Sequence, residues 1–143
     1  MKSIVDIAEF RSAQFAPVLP EDCQVNPGRY GAELAFWLCT RLYQQCHVAT
    51  SYPEFEDWGW LLTYVTDAGE EFALHCGNID GERDRWLLSL RRFGRNLFGG
   101  NKPGFDKAAS LIDAVRKVLE SEASVSDLKW HYDGGPAAGK PTA

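Results

Sequence analysis

Residues Trp58 to Phe93 read WGWLLTYVTDAGEEFALHCGNIDGERDRWLLSLRRF, and this stretch decides the fold. Three strand-like runs, Trp58 to Thr66, Glu71 to Ile79 and Arg83 to Phe93, are separated by Asp67-Ala68-Gly69 and by Asp80-Gly81, both with turn chemistry. Pairing Thr66 with Glu70 sets Tyr64 against Phe72, Leu62 against Leu74 and Trp60 against Cys76. Pairing Asn78 with Asp84 sets Cys76 against Trp86, Leu74 against Leu88 and Phe72 against Leu90. Both registers gather the large apolar side chains on one face, and a one-residue slip in either hairpin breaks that agreement. The reverse face then carries Thr63, Ala73 and Ser89 in one row, Leu61, His75 and Leu87 in the next, and Gly59, Gly77 and Arg85 in a third.

Upstream, Asn26-Pro27-Gly28 predicts a helix start, with Asn as the cap and Pro in the first turn. The helix is expected from Pro27 to Cys46, with an inner stripe of Gly31, Leu34, Ala35, Leu38, Leu42 and Cys46. Tyr30 and Trp37 widen one flank, and Phe36 with Tyr43 the other, so this helix is expected to be covered on more than one side, by the fold or by a partner chain. Ile4 to Phe15 is expected to be a strand, although Phe10 and Phe15 have opposite parity. Downstream, Gly94 to Gly104 is a Gly-rich loop, Phe105 to Ser121 an amphipathic helix and Val125 to Tyr132 a closing strand.

The order β-α-β-β-β-α-β predicts a two-layer α+β fold, an antiparallel sheet of four to five strands with two long helices on its apolar face. A length of 143 residues is that of a single domain, placed at residues 1–132, with a Gly-, Ala- and Pro-rich flexible tail at 133–143. The net charge of -5 gives no overall attraction to nucleic acid or anionic membrane, and neither is expected as a partner. The start of the chain lacks the pattern of a signal peptide. None of Cys23, Cys39, Cys46 and Cys76 forms a Cys-x-x-Cys pair, so reduced thiols in a cytoplasmic protein are expected, with no metal and no cofactor.

Three groups of residues bear on chemistry. Glu56-Asp57-Trp58 sets two carboxylates beside an indole, which suits an acid–base pair or, more plainly, an acidic loop at the start of an aromatic strand. His75 lies mid-strand on the less apolar face, without an orienting carboxylate in the registers above. Arg91, Arg92, Arg95 and Lys102 precede a helix and offer an anion site, but Gly100 stands where a phosphate loop needs Lys followed by Ser or Thr.

Asn26-Pro27-Gly28-Arg29-Tyr30-Gly31 and Glu56-Asp57-Trp58-Gly59-Trp60 resemble motifs shared by a group of small bacterial proteins of uncharacterised function. The resemblance covers Asn26 to Ile79 and implies a bacterial cytosolic α+β domain, with no activity, cofactor or catalytic residue attached. If the motif pair marks a binding site, Asn26, Tyr30, Glu56, Asp57 and Trp58 line it at one end of the sheet, with His75 nearby. The expected function is a non-catalytic binding or protein-interaction module, acting on a partner protein or a second copy as a homodimer. The alternatives are a small enzyme using Glu56, Asp57 and His75, and an anion-binding protein using the Arg91 to Lys102 loop.

Overall fold

The computed structural model describes residues 3–57, 59–93 and 103–132. Six strands form one antiparallel sheet: β1 (Ile4–Arg11), β2 (Glu54–Glu56), β3 (Gly59–Val65), β4 (Glu71–Asn78), β5 (Arg85–Arg92) and β6 (Ser126–Trp130). Their spatial order is β2-β3-β4-β5-β1-β6. The helices α1 (Ala32–Cys46) and α2 (Ala109–Ser121) share one continuous core with the apolar face of the sheet.

The class is α+β as expected, but the expectation of four to five strands is wrong. The additional strand is β2, which pairs Glu54 with Leu61, Phe55 with Trp60 and Glu56 with Gly59. Pro53 and two glutamates disguise it, because Pro lacks an amide donor and carboxylates are poor strand formers. An edge position accepts both.

The helix does not start at Asn26-Pro27. Arg29 N–H donates to the Asn26 carbonyl at 2.9 Å, and Pro27 and Gly28 fill the middle of that turn. Gly28 has φ +82°, as the third position of a type II turn requires. Gly31 is the residue that caps α1, and Leu34, Ala35, Leu38 and Leu42 form its buried stripe as the periodicity predicts. The helix closes on His47 in the left-handed region, with the His47 and Val48 amides donating to Tyr43 and Leu42 carbonyls.

The β3–β4 register is the expected one, from Trp60 with Cys76 to Tyr64 with Phe72. The β4–β5 register is two residues away from the expected one: Asn78 pairs with Trp86, Cys76 with Leu88 and Leu74 with Leu90. Asp80 and Gly81 both take positive φ in a tight turn closed by Glu82 N–H to the Ile79 carbonyl. Residues 83 and 84 bulge out beyond that turn, where the Ser12 amide takes the Asp84 carbonyl. A slip of two preserves parity, so every side chain keeps its face while its neighbours change.

β1 stops at Arg11, and a 3-10 turn over Ala13–Phe15 follows, with the Ser12 hydroxyl accepting from the Gln14 amide. That turn reconciles the parities of Phe10 and Phe15, since both end in the core. The expected second helix likewise opens with a 3-10 turn, Phe105–Ala108, before α2. Trp86 is fully buried, meets Phe15 edge-on at 6.5 Å and donates its indole N–H to the Ser12 carbonyl at 2.9 Å. Trp86→Phe leaves that buried carbonyl without its donor and removes part of the ring. It is expected to cost about 1–3 kcal/mol in urea unfolding, with the native fold retained; a loss below about 0.5 kcal/mol would contradict this account.

Candidate functional site

The two motifs meet at one end of the sheet, against the Cys76 to Asn78 end of β4. The Asn26 side-chain amide donates to the Asp57 carbonyl, tying the turn before α1 to the β2–β3 hairpin. A Cβ built at Gly31 would fall 2.5 Å from the Cys76 carbonyl oxygen, and one at Gly59 would fall 2.6 Å from the same atom. Both motif glycines are therefore places where backbone lies directly on backbone. The Tyr30 amide donates to Asn78 Oδ1, while Asn78 Nδ2 donates to the Gly28 and Glu82 carbonyls, each at 3.0 Å. Glu21 completes the strap by accepting from the Gly28 amide at 2.7 Å and from the Tyr30 hydroxyl.

In this arrangement Asn26 and the buried Tyr30 act as fasteners. Glu21 and Asn78 escaped the sequence reading because neither belongs to the motif pair. Asp57 offers an exposed carboxylate, Glu56 is half-buried, and Trp58 lies outside the described residues. His75 is half-buried and its ring lies over Gly59, with Nε2 2.7 Å from where a Cβ would sit.

The corrected register changes the company of His75. Its row across the sheet is Glu54, Leu61, His75, Ser89 and Asp6. The Ser89 hydroxyl donates to Asp6 Oδ1 at 3.0 Å. A nucleophilic serine needs its hydroxyl on the imidazole and the imidazole on the carboxylate. Here the hydroxyl is bound to the carboxylate, and the imidazole leans the other way, toward Gly59. The carboxylates of Glu56 and Asp57 make no hydrogen bond or ion pair with His75 among the described residues.

Arg91 and Arg92 point to opposite faces of β5. Arg91 pairs with Ala73 on the face away from the helices. Arg92 is buried, donates to the Pro103 carbonyl at 3.1 Å and lies over the Phe105 ring at 5.3 Å. Arg95 and Lys102 lie outside the described residues. At the opposite end of β5, Arg85 pairs with Glu9 at 2.9 Å and with Glu82 at 3.1 Å. Arg85, and after it His131, hold the Glu9 carboxyl below its ordinary value.

Exposed rings stand out on one flank of α1 and along the segment that leads into β2. Phe36 and Tyr43 are 57% and 59% exposed, and Tyr52 and Phe55 are 79% and 41% exposed. Phe55 meets Trp60 edge-on at 5.6 Å, fixing that end of the surface to the sheet. Between Tyr43 and Tyr52 runs a cleft of about 380 Å³ floored by Cys39, Thr40 and Thr50. The opposite flank of α1 is closed: Trp37 packs on Phe15 at 4.7 Å beneath Arg41, and Arg41 pairs with Glu122 of the α2 end at 3.8 Å.

From Leu42 to Glu82 the chain has no lysine or arginine, yet it carries Glu54, Glu56, Asp57, Asp67, Glu70, Glu71, Asp80 and Glu82. That run is a signal in the sequence which motif spacing does not register. Among the described residues Glu54, Glu56 and Asp57 have no ion pair, whereas Glu9, Asp84 and Glu120 each have an arginine within 3.4 Å.

Two clefts of about 580 and 560 Å³ are more polar, one bordered by His47, Asp113 and Lys117 and the other by Glu9, Arg11 and Lys129. Neither is lined by Glu56, Asp57 or His75. No group of three or more His, Cys, Asp or Glu side chains among the described residues could hold a metal ion. All four cysteines are free thiols, and burial pushes those of Cys39 and Cys76 above the ordinary thiol range, away from the reactive thiolate.

Two outcomes follow from the strap. Gly31→Ala, where φ is +145° and the new methyl meets backbone, is expected to cost about 3 kcal/mol or more in chemical unfolding. Gly28→Ala, with open space around it, should cost about 1 kcal/mol from its φ alone; equal losses would remove the close-approach argument. The second outcome concerns pH. The Tyr30 hydroxyl, and after it the Gly28 amide, hold Glu21 below its ordinary 4.5, and the hydrogen bond to Glu21 raises Tyr30 above its ordinary 10.0. A depressed carboxyl contributes stability above its ordinary value and loses it as pH falls through the folded value. A raised phenol contributes below its ordinary value and loses it as pH climbs through the folded value. Tyr30→Phe is therefore expected to lower Tm near neutrality and to flatten the Tm profile at both extremes, leaving the part due to Glu9. A profile parallel to wild type would refute the coupling. Compared with protein-family models, curated proteins and solved structures, the chain matches none.

Proposed function

We propose that this chain is a non-catalytic protein-interaction module that engages its partner through the α1–β2 surface. The observation that carries this reading is the set of four large rings, Phe36 and Tyr43 on α1 and Tyr52 and Phe55 on the segment through β2, left exposed with a cleft between Tyr43 and Tyr52. Exposed aromatic groups of this kind anchor protein interfaces, because they bury much area for little lost side-chain entropy. The four free thiols and the bacterial motif resemblance support a cytosolic bacterial setting. A catalytic reading through Glu56, Asp57 and His75 has less support, since the nearby Ser89 hydroxyl is committed to Asp6 and the Asp57 carboxylate faces solvent. Anion binding at Arg91 and Arg92 has less support as well, because those two side chains diverge.

A photo-crosslinking amino acid placed at Tyr52 tests the proposal in cells that make the chain, with Ser110 on the α2 surface as control. Discrete adducts at position 52, absent at 110 and lost on adding Tyr43→Ala, are expected. The same adducts from both positions, or none from either, would sink it.

A further inference from the structure

We propose that the cleft between the end of α1, α2 and the β3–β4 turn binds a small zwitterion, a molecule of amino-acid or dipeptide size with one ammonium and one carboxylate. This is a second site, and it does not rest on the exposed rings beside β2. The cleft is about 580 Å³, a volume typical of small-ligand sites. One side is a single stripe of α2 in which Ser110, Asp113 and Lys117 follow one another at helical spacing. His47 borders it where α1 ends, and Tyr64 and Asp67 border it at the end of β3.

Charge pairing separates this cleft from the other one of similar size. In the cleft of about 560 Å³, Glu9 pairs with Arg85 at 2.9 Å and Arg11 with Asp127 at 3.8 Å, so its charges already answer one another. Around the 580 Å³ cleft, Asp67, Asp113 and Lys117 make no ion pair or side-chain hydrogen bond among the described residues. Spacing does not explain this. Arg116 and Glu120, four residues apart on the same helix, pair at 3.1 Å, whereas Asp113 and Lys117, also four apart, do not. The Tyr64 hydroxyl has no hydrogen bond among the described residues either, although its ring packs half-buried against the core. Burial, and after it the charge of Asp67, push this phenol above its ordinary 10.0, which sets the Asp67 carboxylate on the Tyr64 side of the cleft.

These groups select the ligand by its charges. A diamine would bring a cation against Lys117, and a dicarboxylate would bring an anion against Asp67 and Asp113. A zwitterion sets its ammonium on the carboxylates and its carboxylate on Lys117, and no like charges meet. Asp113 and Lys117 stand about 6 Å apart along the helix axis. The two ends of a dipeptide match that separation, while a free amino acid carries the same groups closer together. Val48, Val65 and Ala114 also line the cleft and receive the apolar part of the ligand.

Isothermal titration calorimetry with the full chain tests this with leucylleucine, leucine, 3-methylbutylamine, which keeps only the ammonium, and 4-methylpentanoate, which keeps only the carboxylate. At least one zwitterion is expected to bind with a Kd on the order of 1 mM or below. It should bind at least about tenfold more tightly than either single-charge analogue. The tighter of the two zwitterions tells a dipeptide from a free amino acid. Asp113→Asn and Lys117→Gln should each weaken binding by about tenfold. Asp127→Asn, in the cleft whose charges are paired, should change it by less than about twofold. All three side chains are exposed, so the fold is retained, and an unchanged Tm confirms it for each variant.

No heat from either zwitterion up to about 10 mM would overturn the proposal. So would a single-charge analogue that binds as tightly as the zwitterions, or an affinity that survives Asp113→Asn or Lys117→Gln unchanged. An equal loss from Asp127→Asn would show general attraction to a charged surface and overturn it too. The crosslinks at position 52 report on the exposed rings alone, so none of these results bears on the interaction surface.

Discussion

The structure depends on one crowded atom, the carbonyl oxygen of Cys76. The start of α1 and the start of β3 both crowd it, so that a Cβ at either Gly31 or Gly59 would clash with it and only glycine fits either position. With those two contacts made, the turn at Asn26 falls beside the turn at Asp57, and Asn78 can bind Tyr30, Gly28 and Glu82 together. The chain uses polar side chains here for what hydrophobic packing cannot do. It satisfies the backbone groups of a long irregular connection that runs from β1 to α1. Each fastener is short-ranged and directional, so the position of the helix over the sheet is set by hydrogen-bond geometry as well as by the core stripe.

This crowding accounts for what the two motifs do. Asn26, Tyr30, Gly31 and Gly59 are fixed by demands of assembly, and the exposed rings of Phe36, Tyr43, Tyr52 and Phe55 lie outside the two motifs. Of these four, Tyr52 and Phe55 have no spacing signature. Tyr52 and Phe55 lie either side of Pro53, and Phe36 and Tyr43 widen the apolar stripe of α1 enough to predict a cover without saying what supplies it. What marks them is the failure of the fold to cover them, which only the placement of α2 and Phe15 against the opposite flank reveals.

Periodicity made the meander legible, because alternating side chains in β3, β4 and β5 constrain one another. Parity survived even where the register did not: the two-residue displacement between β4 and β5 left the core face intact and moved Ser89 beside His75. Such a slip is invisible to any argument from alternation, and the bonds that set it are made by residues distant in sequence, Ser12 and Gly28. β2 was illegible for a different reason. A three-residue edge strand after Pro53 needs little intrinsic preference, since its neighbour supplies the template. Pro27-Gly28 was misread because proline suits both a first helical turn and the second position of a turn, and the positive φ of Gly28 decides between them.

The place of β1 in the sheet has a consequence for the order of assembly. It is the earliest strand in the chain, yet it lies between β5 and β6, and it pairs with residues 85–91 on one side and 126–130 on the other. The meander can close through short turns, but β1 must cross the sequence distance to Arg85 before it gains a single ladder bond. During synthesis the strand Ile4 to Phe10, with its core side chains Ile7, Ala8 and Phe10, therefore leaves the ribosome well before either neighbour exists. No partial product that ends short of β5 can pair its backbone with either strand neighbour, and that interval is written into the connectivity of the chain.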